Sequence, residues 1–160
     1  MMSKKLITPV TQYLDAQQVN YHLLPQERAT ITIEETALQR GVRPAQMVKS
    51  ILLRDMGNQY ALACVPGDQS VDPKKVRAIL KCRRMTCVGL NEIASITGYQ
   101  PGTVTPLLLV TSMPIVFDSQ LLNEATVTIS SGHSMLGIAL QSDDLVSLCH
   151  PTIASICRIN

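Results

Sequence analysis

The stretch MVKSILLRDMGNQYALACV, residues 47–65, constrains the fold of this chain more than any other. Two apolar runs flank Asp55-Met56-Gly57-Asn58, four residues with turn chemistry, so the segment predicts a β-hairpin in the middle of the sequence. Side chains alternate along a strand, which sets Met47, Lys49, Ile51 and Leu53 on one face and places a cation among core residues. Two accounts of Lys49 stand open. An inward charge can blunt an edge strand, or its stem can lie on apolar surface while the amine reaches water. Alternatively, a lysine at the lip of a pocket holds an anion, either a phosphate or a carbonyl oxygen that becomes negative.

Helices and strands are mixed around this hairpin. Thr8 caps a first helix opened by Pro9, with Val10, Tyr13 and Leu14 as its buried stripe, and a strand follows with Val19, Tyr21 and Leu23 on one face. Thr32 and Glu35 have capping-box spacing and Gly41 suits the position past a helix end, which predicts a short helix over 33–40. Asp72-Pro73 opens a helix through Leu80 with Val76, Ile79 and Leu80 apolar, and Asn91 and Gly98 bracket another. After the loop GYQPGTVTP, LLLVT and PIVF are short enough to be strands. TVTIS and LGIAL flank Ser131-Gly132-His133-Ser134 as a second hairpin, Ser142 caps a final helix that stops before Pro151, and TIASICRI is read as a closing strand. Strands outnumber helices without regular alternation, so the expected class is α+β: one domain over residues 1–160, with a mixed sheet curled towards a barrel and helices outside.

The core must be aliphatic, since hydrophobic residues are 46% of the 160 but aromatics only 3%, with no Trp and a single Phe, Phe117. Stacked aromatic platforms for nucleic acid are disfavoured for the same reason. The net charge of +2 does not announce a nucleic-acid binder, but Lys74, Lys75, Arg77, Lys81, Arg83 and Arg84 lie together with no acidic residue until Glu92. On a helix Lys74, Arg77 and Lys81 share a face, either as a solvated surface or as phosphate contacts. Five cysteines, an odd number with no C-x-x-C pair, point to reduced thiols rather than a disulfide framework. A zinc site from Cys82, Cys87, Cys149 and His150 has no recognised spacing, so no metal or cofactor is expected. MMSKKLITPVTQYL lacks the apolar run of a signal peptide, which predicts a cytoplasmic protein with no membrane partner.

Two further segments are candidates for chemistry. Gly98 to Pro106 holds two glycines and two prolines in nine residues, a composition that fixes backbone shape and can bring N–H groups close to a ligand. Ser130-Ser131-Gly132-His133 puts a histidine at a hairpin tip, where most histidines are simply solvated. No nucleophile elbow, phosphate-binding Gly-rich loop or dinucleotide fingerprint occurs.

VKSILL around Lys49, VPGDQSVDPKKV, GYQPGTVTP, and FDSQLLNEATVTISSGHSMLGIAL leading into SDDLVSL occur here in an order and spacing that resemble the YbaK-like aminoacyl-tRNA deacylases. That fold also serves as the editing insertion of bacterial prolyl-tRNA synthetases, and the resemblance covers almost the whole chain. It implies hydrolysis of the ester joining a wrong amino acid to the 3′ end of a tRNA, with an aminoacyl-tRNA synthetase as a candidate partner and no DNA. The family's lysine corresponds to Lys49, its Gly-x-x-x-Gly-x-x-x-Pro loop to Gly98, Gly102 and Pro106, and its late Gly-His turn to Gly132 and His133. Many relatives have Ser where this chain has Thr105, and Gly soon after the loop proline where it has Leu107-Leu108.

An aminoacyl ester is already activated, so positioning a water and stabilising an oxyanion suffice without a strong base. The expected roles follow: Lys49 anchors the terminal phosphate or the ester carbonyl, backbone amides near Gly102 polarise the carbonyl, and His133, Thr103 and Thr105 line the pocket. The basic helix of Lys74, Lys75, Arg77 and Lys81 would hold tRNA. A missing methylene is worth only about 1–3 kcal/mol, which is why small misacylated products need a second sieve. The family's range is accordingly Ala, Ser, Thr or Cys on a noncognate tRNA such as tRNA-Pro. The competing class is a module that binds a nucleotide or tRNA 3′ end and breaks no bond.

Overall fold

The computed structural model describes residues 7–159. The central hairpin is present as expected: β2 (Val48–Asp55) and β3 (Tyr60–Pro66) are antiparallel, with Lys49 opposite Val65 and Leu53 opposite Ala61. The turn between them is held by the buried Asp55 carboxylate, whose Oδ1 accepts from Gly57 N at 2.8 Å and Gln59 N at 2.9 Å. Those bonds hold the Asp55 carboxyl below the usual carboxylate range.

β3 is central in a five-stranded sheet ordered β4 (Met85–Cys87), β2, β3, β5 (Ile115–Asp118), β8 (Thr152–Ala154), antiparallel on the β2 side and parallel on the other. A second, antiparallel sheet has the order β1 (Tyr21–Pro25), β7 (Leu136–Gln141), β6 (Thr126–His133). One parallel bridge between Met47 and Thr128 joins the sheets, so the β structure curls towards a barrel without closing. The mixed α+β class expected from the sequence is what the chain adopts.

Alternation along β3 explains why its sequence is an unbroken apolar run. Leu62 and Cys64 face the core between the sheets, packed with Phe117, Ile129 and Ile138 and with Val10 and Leu14 of α1 (Pro9–Ala16). Ala61, Ala63 and Val65 face a second core, closed by Val76 of α3 (Pro73–Leu80) and by Met85 and Ile156. A strand buried on both faces cannot carry polar residues on either. The carboxy-terminal segment is fastened to this sheet through the buried Asp118, whose Oδ2 accepts from Ile156 N at 2.9 Å and Cys157 N at 3.1 Å. Burial alone would raise the Asp118 carboxyl, but the N–H donors outweigh it and leave it lowered.

Capping signals in the sequence are largely realised. Thr8 and Thr11 cap each other at the start of α1, Asp72 caps α3, and Thr32 caps α2 (Ile33–Arg40), which Gly41 ends at φ 69°. The Glu35 side chain reaches Ile31 N rather than Thr32 N, so the reciprocal half of that box falls one residue early. Five expectations fail. LLLVT is not a strand but part of the loop between α4 (Leu90–Thr97) and β5. Asn91 lies inside α4, which Gly89 precedes as cap, and Ser142 is the first residue of α5 (Ser142–Cys149) rather than its cap. TIASICRI is strand only over Thr152–Ala154, with Cys157 bridging Val71. β4 is too short for a period-two signal, and Val19 lies before β1. The part of the amino-terminal reading that falls on residues 1–6 lies outside the described residues. Among the described residues no helix is long and apolar enough to cross a membrane.

Leu108, in the Leu107-Leu108 pair that follows the loop proline, adopts φ 58°. A left-handed backbone costs a side-chain-bearing residue roughly 1–2 kcal/mol, offset in part by the greater unfolded-state freedom of glycine. Leu108 is 44% exposed and loses little packing when removed. Leu108→Gly is therefore expected to stabilise the fold by about 0.5–1 kcal/mol, raising the calorimetric midpoint by roughly 1–3 °C. A lower midpoint would show that the leucine side chain contributes more than its backbone costs.

Candidate active site

The site grows out of an interrupted sheet edge. β4 pairs only with Leu53–Asp55 of β2, Val88 N donates to Leu52 O at 3.0 Å, and Met47 bridges β6 at Thr128. Between these contacts the outer edge of residues 48–51 has no neighbouring strand among the described residues. Because the Leu52 carbonyl points outward, strand alternation turns the N–H and C=O of Ser50 outward as well. A cavity of about 610 Å³ occupies this gap, walled by Ser50 and Leu52 on one side, Thr128 and Ser130 of β6 on another, and α2, the start of α4 and residues 101–104 around them. Its polar lining is hydroxyls and amides with two cations, Lys49 and Arg40; no Asp, Glu or His lines it among the described residues.

Lys49 is half-buried on the α3 side of β2, as the alternation predicted, and it also lines the cavity. Its ammonium donates to the carbonyl oxygen of Gln69, in the loop before α3. An ammonium has three N–H groups, so this bond leaves two for a ligand.

The Gly/Pro loop divides into a cavity-facing half and a buried half. Gly102, at φ 86° with open space where a Cβ would stand, lines the cavity with Thr103 and Val104. Thr103 is spent on its own loop: its N and Oγ1 donate to Gln100 O at 2.9 and 2.8 Å. The N–H groups of Gly102 and Val104 have no acceptor among the described residues. Gly98, Thr105 and Pro106 do not reach the cavity. Gly98 ends α4 at φ 86°, where a Cβ would lie 2.8 Å from Val110, and Pro106 is buried with its carbonyl facing the Cys149 thiol at 3.5 Å. Thr105 is fully buried, and its Oγ1 has no hydrogen-bond partner. Burial pushes the nearby Tyr99 phenol up to about 12, and its hydroxyl donates to Leu107 O, pinning the loop from below.

His133 is exposed at its hairpin tip and absent from the cavity lining; its Nδ1 accepts from Met135 N at 3.0 Å. Its neighbour Ser134 lines the cavity instead. Gly132, at φ 89°, packs against Tyr99, whose ring a Cβ would approach to 3.2 Å. Lys74 and Arg77 on α3 are exposed, as is Lys81, which is not helical but caps the end of α3 at φ 54°, whereas Lys75 Nζ donates to Cys157 O at 2.8 Å and serves the fold; none of the four lines the cavity. Among the described residues no group of three His, Cys, Asp or Glu could hold a metal ion.

Sequence reasoning missed Arg40, Ser50 and Ser134, and Ser130 entered only as part of the hairpin-tip segment singled out for His133. Arg40 reads as an ordinary cation in the last turn of a helix, and an isolated serine in a strand carries no signal of its own. The overlooked clue was Gly137, the second residue of β7 and so a glycine inside a strand, a mark of close approach.

The model of the aminoacyl-tRNA editing domain family matches residues 27–148, which contain every wall of this cavity except Gln26. The chain belongs to that family. Membership places the editing domain among the aminoacyl-tRNA deacylases, as the resemblance implied. Proline--tRNA ligase of Bacillus licheniformis is 34% identical over 87 residues, 54% of this chain and 15% of the ligase, so the chain spans only a small part of that enzyme. EbsC of Enterococcus faecalis, named as a candidate Cys-tRNA(Pro)/Cys-tRNA(Cys) deacylase, is 21% identical over 79% of this chain and 77% of its own. The crystal structure of a candidate trans-editing enzyme for prolyl tRNA synthetase shares the fold, with a TM-score of 0.81, 20% identity, and coverage of 96% of this chain and all of that one.

The orphaned Thr105 hydroxyl gives a test of where the loop's binding half ends. A buried hydroxyl without a partner costs about 1–3 kcal/mol, and valine has nearly the same shape. Thr105→Val is expected to stabilise the domain by about 1 kcal/mol in denaturant unfolding and to leave aminoacyl-tRNA hydrolysis at the wild-type rate. A folded variant with hydrolysis lost would put that hydroxyl on the substrate.

Proposed function

We propose that the protein is a free-standing trans-editing hydrolase that removes a small amino acid, Ala, Ser, Thr or Cys, from mischarged tRNA, with tRNA-Pro as the carrier. The observation that carries this reading is the acid-free cavity at the open β2 edge, lined by Lys49 and by Gly102 and Val104, whose N–H groups have no acceptor among the described residues. The names of the ligase and of EbsC support the carrier, and the cavity's volume of about 610 Å³ suits an aminoacyl-adenosine end.

Water attacks the ester carbonyl carbon, and the carbonyl oxygen becomes an oxyanion held by the backbone N–H groups of the loop. As the intermediate collapses, the bond to the ribose oxygen breaks and that oxygen takes up a proton derived from the water. The Lys49 ammonium, fixed by the Gln69 carbonyl, holds the terminal nucleotide beside the reacting carbon. Ser50, Ser130 and Ser134 offer hydroxyls to orient water and the substrate amine. His133 stands next to Ser134 at the rim, and its part is to contact the nucleotide rather than the carbonyl. No step asks for a strong base, which agrees with a lining that contains none. Selection for small amino acids comes from excluding larger ones, since apolar contact cannot favour a smaller side chain.

The test is deacylation of Ala-, Ser-, Thr-, Cys- and Pro-tRNA-Pro. One small ester should be hydrolysed and the prolyl ester spared, and Lys49→Ala should lower the rate about 100-fold or more. Absence of hydrolysis across the panel, with tRNA still bound, would replace this reading by a 3′-end binding module.

The exposed cations of α3 make a separable contribution. Replacing Lys74, Arg77 and Lys81 together by Ala should weaken tRNA affinity and flatten its salt dependence by about one unit of slope per lost phosphate contact, while leaving hydrolysis at saturating tRNA intact. An unchanged slope would make that helix face a solvated surface.

A further inference from the structure

Arg40 ends α2, and its guanidinium lines the cavity half-buried. Among the described residues it makes no ion pair; the pairs present there join Arg43 to Glu124 and Arg54 to Glu92. Its one acceptor is neutral: Nε and Nη2 donate to Gln26 Oε1 at 2.9 and 2.5 Å. Gln26 is itself buried, and its Nε2 is committed to Arg28 O at 3.2 Å and Thr30 Oγ1 at 3.3 Å, which turns its carbonyl oxygen towards Arg40. The guanidinium is thus oriented without being neutralised.

Room for it is provided by Gly137 of β7, where a Cβ would lie 2.6 Å from Arg40 Nη1. A guanidinium has five N–H groups, and Gln26 uses two, so three remain with no acceptor among the described residues. Burial lowers the Arg40 pKa, yet arginine stays charged in proteins, and a desolvated charge facing no carboxylate is expensive for a fold to keep. Interaction with the helix dipole explains a cation in the last turn of α2 but neither its burial nor the glycine opposite. Thr30 and Thr36 line the same cavity, but their hydroxyls are spent on each other and on the Thr32 carbonyl, so the guanidinium is the donor left there for a guest.

We propose that Arg40 is a phosphate-binding residue of the cavity, and that its free guanidinium edge holds a backbone phosphate of the acceptor strand. The planar fork fits two phosphate oxygens at once, a geometry that the point charge of Lys49 cannot supply. The inference rests on the cavity being the acceptor-end site, and it assigns Arg40 to the nucleotide rather than to the reacting ester.

Gln26→Glu is the decisive variant, because it leaves Arg40 in place and neutralises it with a near-isosteric change. Arg40→Met removes the charge while keeping an unbranched stem. Binding of inorganic phosphate and of adenosine monophosphate is measured by calorimetry, and that of uncharged tRNA as a function of salt. Wild type should bind the phosphate probes, both variants should bind them at least tenfold more weakly, and the tRNA salt slope should fall by about one. Failure of wild type to bind either probe, or equal binding by both variants, would overturn the proposal. Free aspartate bound in place of phosphate would overturn it in favour of a carboxylate guest. If the aminoacyl-tRNA panel shows no hydrolysis while phosphate binding still depends on Gln26 and Arg40, the editing reading fails and the phosphate site stands; the converse result removes the site alone.

Discussion

The candidate site depends on one unfinished strand pairing. β2 is matched residue for residue by β3 along its inner edge, but on its outer edge β4 covers only the last part and β6 touches only at Met47. Open edges are normally blunted because their amides invite other strands. Here the edge opens into a cavity walled by α2, α4 and the Gly/Pro loop, where a small guest is admitted and a strand is not. The same incompleteness keeps the two sheets from closing into a barrel, so architecture and binding space share one cause.

The charge of that space is one-sided. Both charged side chains that line it are cations, and each is steadied by a neutral oxygen, Gln69 O for Lys49 and Gln26 Oε1 for Arg40. A carboxylate in either place would satisfy the cation and cancel its field, whereas an amide or carbonyl fixes direction and leaves the charge to attract an anion. Hydroxyls and loop N–H groups complete a lining whose chemistry suits anionic and carbonyl oxygen, which is what the editing reading asks of it.

Much of this was legible in the sequence where the signal is local. The hairpin, the Thr32, Asp72 and Gly41 helix ends and the inward Lys49 follow from alternation and capping chemistry. LLLVT misled because four apolar residues in a run have the composition of a strand; the backbone turns at Leu108 instead, and Leu107 alone is buried by the loop's fold-back. Thr105 and Pro106 lie in a motif whose outer half reaches the cavity, and spacing cannot say which half does. Arg40 and Gln26 were invisible because fourteen residues of chain separate them and their meeting depends on Gly137, more than a hundred residues downstream of Gln26.

Adjacent residues of β2 face opposite sides of the sheet, and this gives Lys49 its particular use. Ser50 turns to the core between the sheets, where its Oγ lies 3.5 Å from the Cys64 thiol, while Lys49 turns with Ile51 and Leu53 towards α3. The lysine therefore reaches the cavity around the open edge and at the same time holds the carbonyl of Gln69, three residues before the Asp72 cap of α3. One side chain thus ties the wall of the cavity to the segment that leads into the basic helix. On the editing reading, phosphates gathered along Lys74, Arg77 and Lys81 and an ester delivered beside Gly102 are brought into register through a strand that is rigid because β3 is buried on both faces.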